Sequence, residues 1–233
     1  GRGGGAVEAG EGGGARGFLP PLSPEAFRDE LAKKRFTNDA DQETVIGLYT
    51  KDMSAALAST RDFNFDDRGW GDAELETLAP CLSQCTQLRR LSLSRNRAGD
   101  AGLSAVCAKL TDAAKLESLQ LGGNPRIGFS GLRALAHVVN GGWFRCAGLL
   151  RLLSLGLDRL DLDADQLGGL TDALSGPAAL PQLRKLSLQG NARLGDEGKE
   201  RIAQALRRGC LPQLAVIDAR GSGAGSAEAA EAG

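Results

Sequence analysis

Apolar residues recur along this chain in the frame L-x-x-L-x-L-x-x-N/D, in which leucines alternate with polar residues. The frame occupies residues 88–96, 116–124, 150–158 and 183–191, and a partial copy begins at Leu214. Apolar residues at alternating positions are typical of a short strand with one buried face. Because the frame returns about every 28 to 34 residues, it predicts a stack of similar units whose core runs from one unit to the next.

A helical pattern follows each predicted strand, at residues 71–82, 99–110, 128–139, 165–174 and 195–206. Asp100 and Asp196 stand where the side chain of a helix cap is expected. Phe63-Asn64-Phe65 precedes Leu91-Ser92-Leu93 by 28 residues and predicts the first strand. The fold class is therefore α/β: a short right-handed solenoid with parallel strands on the concave face and helices on the convex face.

The pattern divides the chain into segments. We expect a disordered Gly-rich leader at residues 1–17 and a disordered tail at 221–233, since neither can bury enough apolar surface. Residues 18–59 predict an N-terminal helical cap, with one helix from Ser23-Pro24-Glu25 to about Arg35 and another starting near Asp39 or Asp41. Residues 60–220 form the repeat domain, with five to six repeats.

The connection before the third full frame carries an insertion of about six residues, Asn140-Gly141-Gly142-Trp143-Phe144-Arg145. Insertions in repeat proteins map to loops at one edge, and exposed aromatic residues often anchor interfaces. Trp143 is therefore a candidate edge anchor for a protein partner. The alternative is that Trp143 and Phe144 fold back over a helix end as local packing.

Composition narrows the function classes. Basic and acidic residues nearly balance, at 28 and 29, so charge favours neither nucleic acid nor an anionic membrane. No apolar run is long enough to span a bilayer. The five cysteines lack a CxxC spacing and the chain has one histidine, which disfavours a zinc site or a disulfide framework. Reduced thiols fit a cytoplasmic location, with a nuclear one as the alternative.

The frame followed by G-D-x-G, as in residues 88–102 and more closely in residues 183–198, resembles the ribonuclease-inhibitor-like class of leucine-rich repeats. Similar repeats occur in the Ran GTPase-activating protein. The resemblance covers roughly residues 60–220 and implies a concave strand face, convex helices and protein binding. Those proteins carry many more repeats than this chain, so their functions cannot be transferred residue by residue.

If the frame leucines point inward, the residues between them face the concave groove. The expected first row is Asp62, Arg90, Ser118, Leu152, Lys185 and Val216. The second is Asn64, Ser92, Gln120, Ser154, Ser187 and Asp218, and the third is Asp66, Ser94, Gly122, Gly156, Gln189 and Arg220. From these rows, the predicted protein-binding residues are Arg90, Gln120, Leu152, Lys185 and Gln189.

Other polar residues are expected to be structural. Asn96, Asn124 and Asn191, with Asp158 in register, are expected to bond the backbone of the neighbouring coil. The Asp161-x-Asp163-x-Asp165 run departs from a calcium loop, because Gln166 stands where the turn glycine is required; Asp165 is expected to cap the following helix.

These features together predict a non-catalytic protein-interaction module without cofactor or metal. Its expected partners are proteins, not nucleic acid or membrane, and we expect a monomer unless another chain covers the last strand's open edge. The alternatives are regulation of an enzyme, of the GTPase-activating type, and a structural subunit of a larger assembly.

Overall fold

A computed structural model describes residues 19–36, 38–110, 113–139, 149–174, 180–209 and 211–222. Strands and helices alternate through most of this length, and a 3-10 turn at Ala192–Leu194 precedes the last helix. The helices are α1 (Pro24–Ala32), α2 (Asp39–Ser59), α3 (Asp72–Leu82), α4 (Asp100–Leu110), α5 (Phe129–Val139), α6 (Ala164–Leu174) and α7 (Gly195–Arg207). The strands are β1 (Asp62–Asn64), β2 (Arg90–Ser92), β3 (Ser118–Gln120), β4 (Ser154–Gly156), β5 (Lys185–Ser187) and β6 (Val216–Asp218).

The strands form one open parallel sheet in the order in which they occur along the chain. Their central residues, among them Leu91, Leu119 and Leu155, pair in one continuous register. Each helix from α3 to α7 packs against the next one, forming a second layer. The predicted α/β solenoid is confirmed, with β1 and β6 as the two edges of the sheet.

The core consists of the frame leucines and the apolar faces of the helices. Leu88, Leu91 and Leu93, and their equivalents in the third, fourth and fifth repeats, are at most 2% exposed, whereas Leu214 and Ile217 of the last repeat are partly buried. A fully buried leucine contributes about 1.5 to 3 kcal/mol, so these columns are the main stabilising feature of the stack. In the first repeat aromatic rings replace leucines, and the centroids of Phe65 and Trp70 lie 4.7 Å apart.

The fourth repeat corrects one sequence prediction. Its frame starts at Leu152, two residues later than predicted, because Leu155 and not Leu153 pairs with Leu119. Leu152, Leu157 and Leu160 are consequently at most 1% exposed. A shift of two residues keeps the same side chains on the same face of a strand, so alternation alone could not separate the two frames.

The helices before the sheet begin as predicted. The Ser23 hydroxyl accepts a hydrogen bond from the backbone N–H of Ala26 and caps α1, which ends at Ala32, about three residues earlier than expected. The rings of Phe27 and Tyr49 stack with their centroids 3.7 Å apart and join α1 to α2. Leu57 of α2 is part of the core. The role of these helices as an N-terminal cap stays a prediction.

Buried asparagines join successive repeats through the backbone. The Asn191 side-chain oxygen accepts from the N–H groups of Leu160 and Leu162, and its amide nitrogen donates to the carbonyls of Leu157 and Leu188. Equivalent bonds fix the other two members of this set, Asn96 and Asn124. The structural role predicted for the three asparagines is confirmed.

Asp158 does not share that role, because the shifted frame puts Leu160 at the equivalent position. The Asp158 carboxylate accepts instead from the Ser187 hydroxyl and from the Gln189 N–H, on the concave side. The side chain of Leu160, unlike an asparagine side chain, can form no hydrogen bond with the preceding coil.

Aspartates at the helix starts form a second connection between repeats. Asp72 accepts from the N–H groups of Gly99 and Gly102, at 2.7 and 2.9 Å, so it binds the start of the next helix. Asp100 does the same for the helix after its own. Its predicted role as a cap of its own helix was therefore wrong.

The predicted caps of the last two helices also differ from the structure. Asp196 of α7 pairs with Lys199 and its side chain is 99% exposed. In α6 the capping residue is Asp163, which exchanges hydrogen bonds with Gln166, rather than the predicted Asp165.

The contact between the third and fourth repeats lacks both kinds of connection, the bridging asparagine and the bridging aspartate. Leu160 replaces the bridging asparagine, and Phe129 occupies the place of the bridging aspartate at the start of α5. Neither side chain can donate or accept a hydrogen bond. The backbone hydrogen bonds of the sheet continue there, and Gln120 Nε2 donates to Ser154 Oγ at 3.2 Å.

Candidate functional site

The concave face presents three rows of side chains across the sheet. The pairing of β3 with β4 puts Ser154 in the first row and Gly156 in the second. Leu152, predicted as a contact residue, is fully buried, so that assignment was wrong. The observed first row is Asp62, Arg90, Ser118, Ser154, Lys185 and Val216, and the second is Asn64, Ser92, Gln120, Gly156, Ser187 and Asp218.

Two cationic side chains on this face, Arg90 and Lys185, differ in their surroundings. The Arg90 guanidinium forms an ion pair with Asp62, and this hydrogen bond lowers the pKa of the Asp62 carboxyl and raises that of Arg90. Lys185 is exposed, and no carboxylate in the described part of the chain lies within ion-pair distance of it. Val216, beside Lys185 in the first row, is 48% exposed.

Between these cations the face has a floor of small residues. Gln120 lies across it, and its amide nitrogen donates to the hydroxyls of Ser118 and Ser154 at 3.0 and 3.2 Å. A β-carbon on Gly156 would overlap the Gln120 side-chain oxygen, so the glycine makes room for this arrangement. The centre of the face is thus polar and carries short side chains beside Gln120, and we call it the serine floor: Ser118, Gln120, Ser154 and Gly156.

Carboxylates along the third row fix the strand ends of the next repeat. Asp66 accepts from the Ser92 hydroxyl at 2.5 Å and from the Ser94 N–H at 2.8 Å. Gln189, a predicted contact residue, gives its N–H to Asp158 and is partly exposed. The sequence placed Asp66 in the third row and Asp158 with the asparagines, but it did not predict these bonds, because their partners lie about 30 residues further along the chain.

At the edge strand, Asp218 and Arg220 form an ion pair of 2.7 Å. The hydrogen bond from Arg220 lowers the pKa of Asp218 to about 2. The Asp218 carboxylate therefore stays charged under all ordinary conditions. Trp143, the predicted edge anchor, lies outside the described residues, and its role stays a prediction.

Groups with catalytic potential are not assembled on this face. Burial raises the pKa of the thiols to about 11 for Cys81 and about 12 for Cys85 and Cys107, so these thiols are protonated and weak nucleophiles. His137 is exposed on α5, on the helical layer of the fold. Among the described residues, no cluster of His, Cys, Asp and Glu could hold a metal ion, and no helix is long and apolar enough to cross a membrane.

The repeats also match a known family. Residues 84–107, 113–136 and 180–203 each match the family model described as Leucine Rich repeat. The matches cover the second, third and fifth repeats and omit the fourth, where Leu160 replaces asparagine. A search of curated proteins found no match to the chain. The family matches and the open parallel sheet agree that the chain carries leucine-rich repeats and folds as an α/β solenoid.

Proposed function

We propose that this protein is a non-catalytic protein-interaction module whose binding surface is the concave face of the sheet. Leucine-rich repeats generally mediate contacts between proteins, and six strands in continuous register support this use here. Side chains of one row stand about 4.8 Å apart on a backbone held by parallel hydrogen bonds. A partner can dock on such a face with little loss of conformational entropy in the repeat protein.

The serine floor carries this proposal. Its small side chains leave space above the centre of the sheet, and Arg90 on β2 and Lys185 on β5 lie on opposite sides of it. A protruding segment of a partner would rest on the floor and accept hydrogen bonds from the Ser118 and Ser154 hydroxyls. An acidic or carbonyl group on that segment would reach Lys185, which has no intramolecular ion pair among the described residues.

Site-directed photo-crosslinking tests this assignment. A photoreactive residue replacing Ser118 should capture partners from a native lysate that a residue replacing Lys109, exposed on α4, does not capture. Lys185→Glu should then weaken binding of the captured partner about fivefold, because an exposed charge pair is worth up to about 1 kcal/mol. Lys109→Glu should leave the binding within about twofold. Capture from α4 alone, or equal effects of the two reversals, would move the interface off the concave face.

The enzyme-regulator alternative is tested separately. A GTPase activator would accelerate GTP hydrolysis when it is added to a panel of small GTPases. An unchanged hydrolysis rate across the panel would reject the regulatory role. If acceleration occurs and Lys185→Glu abolishes it, the concave face binds a GTPase, and the protein is an interaction module that regulates an enzyme.

A further inference from the structure

Four of the exposed arginines in the connections that lead from a strand to the following helix are Arg95, Arg97, Arg126 and Arg159. The carboxyl ends of parallel strands meet at one edge of the sheet, so these arginines share one edge of the solenoid. No carboxylate in the described part of the chain lies within 4.0 Å of their guanidinium groups. We call this surface the arginine edge: Arg95, Arg97, Arg126 and Arg159.

Two of these arginines adopt an unusual backbone. Arg95 has φ 56° and Arg159 has φ 50°, in the left-handed region that bulky side chains rarely adopt. The equivalent residue of the other repeats is glycine or aspartate: Asp67, Gly123, Gly190 and Gly221. The fold alone does not favour arginine at these two positions. A strained backbone at an exposed residue indicates that the side chain has a function.

The glycines of the neighbouring repeats define where these side chains lie. A β-carbon on Gly123 would stand 3.1 Å from Cγ of Arg95, and one on Gly190 would stand 2.8 Å from Cγ of Arg159. Each arginine therefore extends its aliphatic stem across the turn of the next repeat, where only a glycine leaves room. The two aliphatic stems therefore occupy equivalent positions in their repeats.

The spacing of these arginines suggests what they bind. Arg95 follows β2 and Arg159 follows β4, so they are two strand spacings, or about 10 Å, apart. In a polyproline II segment, residues three apart lie on the same side, about 9 Å from each other. We propose that the arginine edge binds an acidic, extended segment of a partner protein, with two carboxylates three residues apart on Arg95 and Arg159.

The surroundings favour a short acidic segment over a nucleic acid. Residues 94–99 and 122–128 contain no acidic residue. Asp67 lies on one side of them, and Asp161 and Asp163, both paired with Arg193, lie on the other. A long polyanion would have to pass Asp67 as well as the carboxylates beside Arg159. A segment with two carboxylates would approach only the latter, which already accept hydrogen bonds within this chain.

Base stacking also lacks a platform. In the described part of the chain, Phe129 is the one aromatic residue that is more than half exposed, at 53%, and its ring faces Gly169 of α6. Single-stranded nucleic acid is usually held by several aromatic rings beside a cationic groove. The arginine edge offers the charges without those rings, which favours an acidic peptide over a single-stranded nucleic acid.

Fluorescence anisotropy with the full chain tests this site. The probe is a labelled peptide of four Glu-Pro-Pro triplets, and four Gln-Pro-Pro triplets serve as the uncharged control. Arg95→Asn combined with Arg159→Asn removes both charges, while asparagine accepts the left-handed backbone. The matched control is Arg151→Asn with Arg184→Asn, which removes two exposed arginines just before β4 and β5 at the opposite edge.

The acidic peptide should bind more tightly than the uncharged one. The Arg95/Arg159 double variant should weaken that binding about tenfold, because each exposed ion pair contributes a factor of about three. The Arg151/Arg184 variant should change it less than twofold. Equal weakening by both double variants, or equal binding of the two peptides, would refute the site. Tighter binding of a single-stranded oligonucleotide, lost in the Arg95/Arg159 variant, would also refute it by assigning the edge to nucleic acid.

Discussion

Replacing Asn191 with alanine tests the main connection between repeats. The Asn191 side chain is fully buried and joins four backbone groups of two coils, at distances of 2.7 to 3.2 Å. Alanine would leave the two N–H groups and the Leu157 carbonyl without this partner, whereas the Leu188 carbonyl keeps a hydrogen bond from the Ser222 hydroxyl. A buried polar group that loses its hydrogen bond costs about 1 to 3 kcal/mol. At the lower end of that range the three groups together cost about 3 kcal/mol.

The free energy of unfolding, measured by guanidinium titration with far-UV circular dichroism, should fall by about that amount. Asn64→Ala is the matched control, because Asn64 is exposed and its side chain accepts one hydrogen bond, from the N–H of Asp66. That control should cost at most about 1 kcal/mol. A loss below about 1 kcal/mol for Asn191→Ala would show that water replaces the side chain. That result would refute the explanation that asparagine recurs in the repeats because it satisfies backbone groups.

Three further outcomes are expected. Leu152→Ala should cost about 2 to 5 kcal/mol of unfolding free energy, whereas Leu150→Ala, at a residue 41% exposed, should cost far less; equal losses would contradict the shifted frame. Gly47→Ala, in α2 with open space around the added carbon, should raise the free energy of unfolding by about 0.5 to 1 kcal/mol. In an NMR titration Asp218 should titrate near pH 2, so the stability from its pair with Arg220 is complete above about pH 4 and disappears as the pH falls toward 2; a midpoint near 4 would contradict the pair.

The sequence predicted the strands and helices well because leucine periodicity encodes them directly. For β2 and β3 the frame leucines, such as Leu91 and Leu119, are buried and paired as expected. The fourth repeat was misplaced by two residues because residues 149–157 are rich in leucine and both frames put leucines on the same face. The choice between them depends on pairing with β3 and β5, which no local pattern contains.

The candidate site was predictable only in part. Arg90, Gln120 and Lys185 lie on the concave face because strand alternation places them there. The carboxylate of Asp66 bonds a serine 26 residues away, and such partners follow from the stacking of repeats. The left-handed backbone of Arg95 could not be read from residue type, since arginine rarely adopts it.

The contact between the third and fourth repeats determines how the solenoid should come apart. In a linear array each unit touches only its neighbours, so cooperativity is only as strong as the weakest nearest-neighbour term. Leu160 and Phe129 remove two polar links at the same contact. Partial unfolding should therefore divide the protein into two blocks, β1 to β3 with α3 to α5, and β4 to β6 with α6 and α7. A partner that spans both blocks would make them unfold as one.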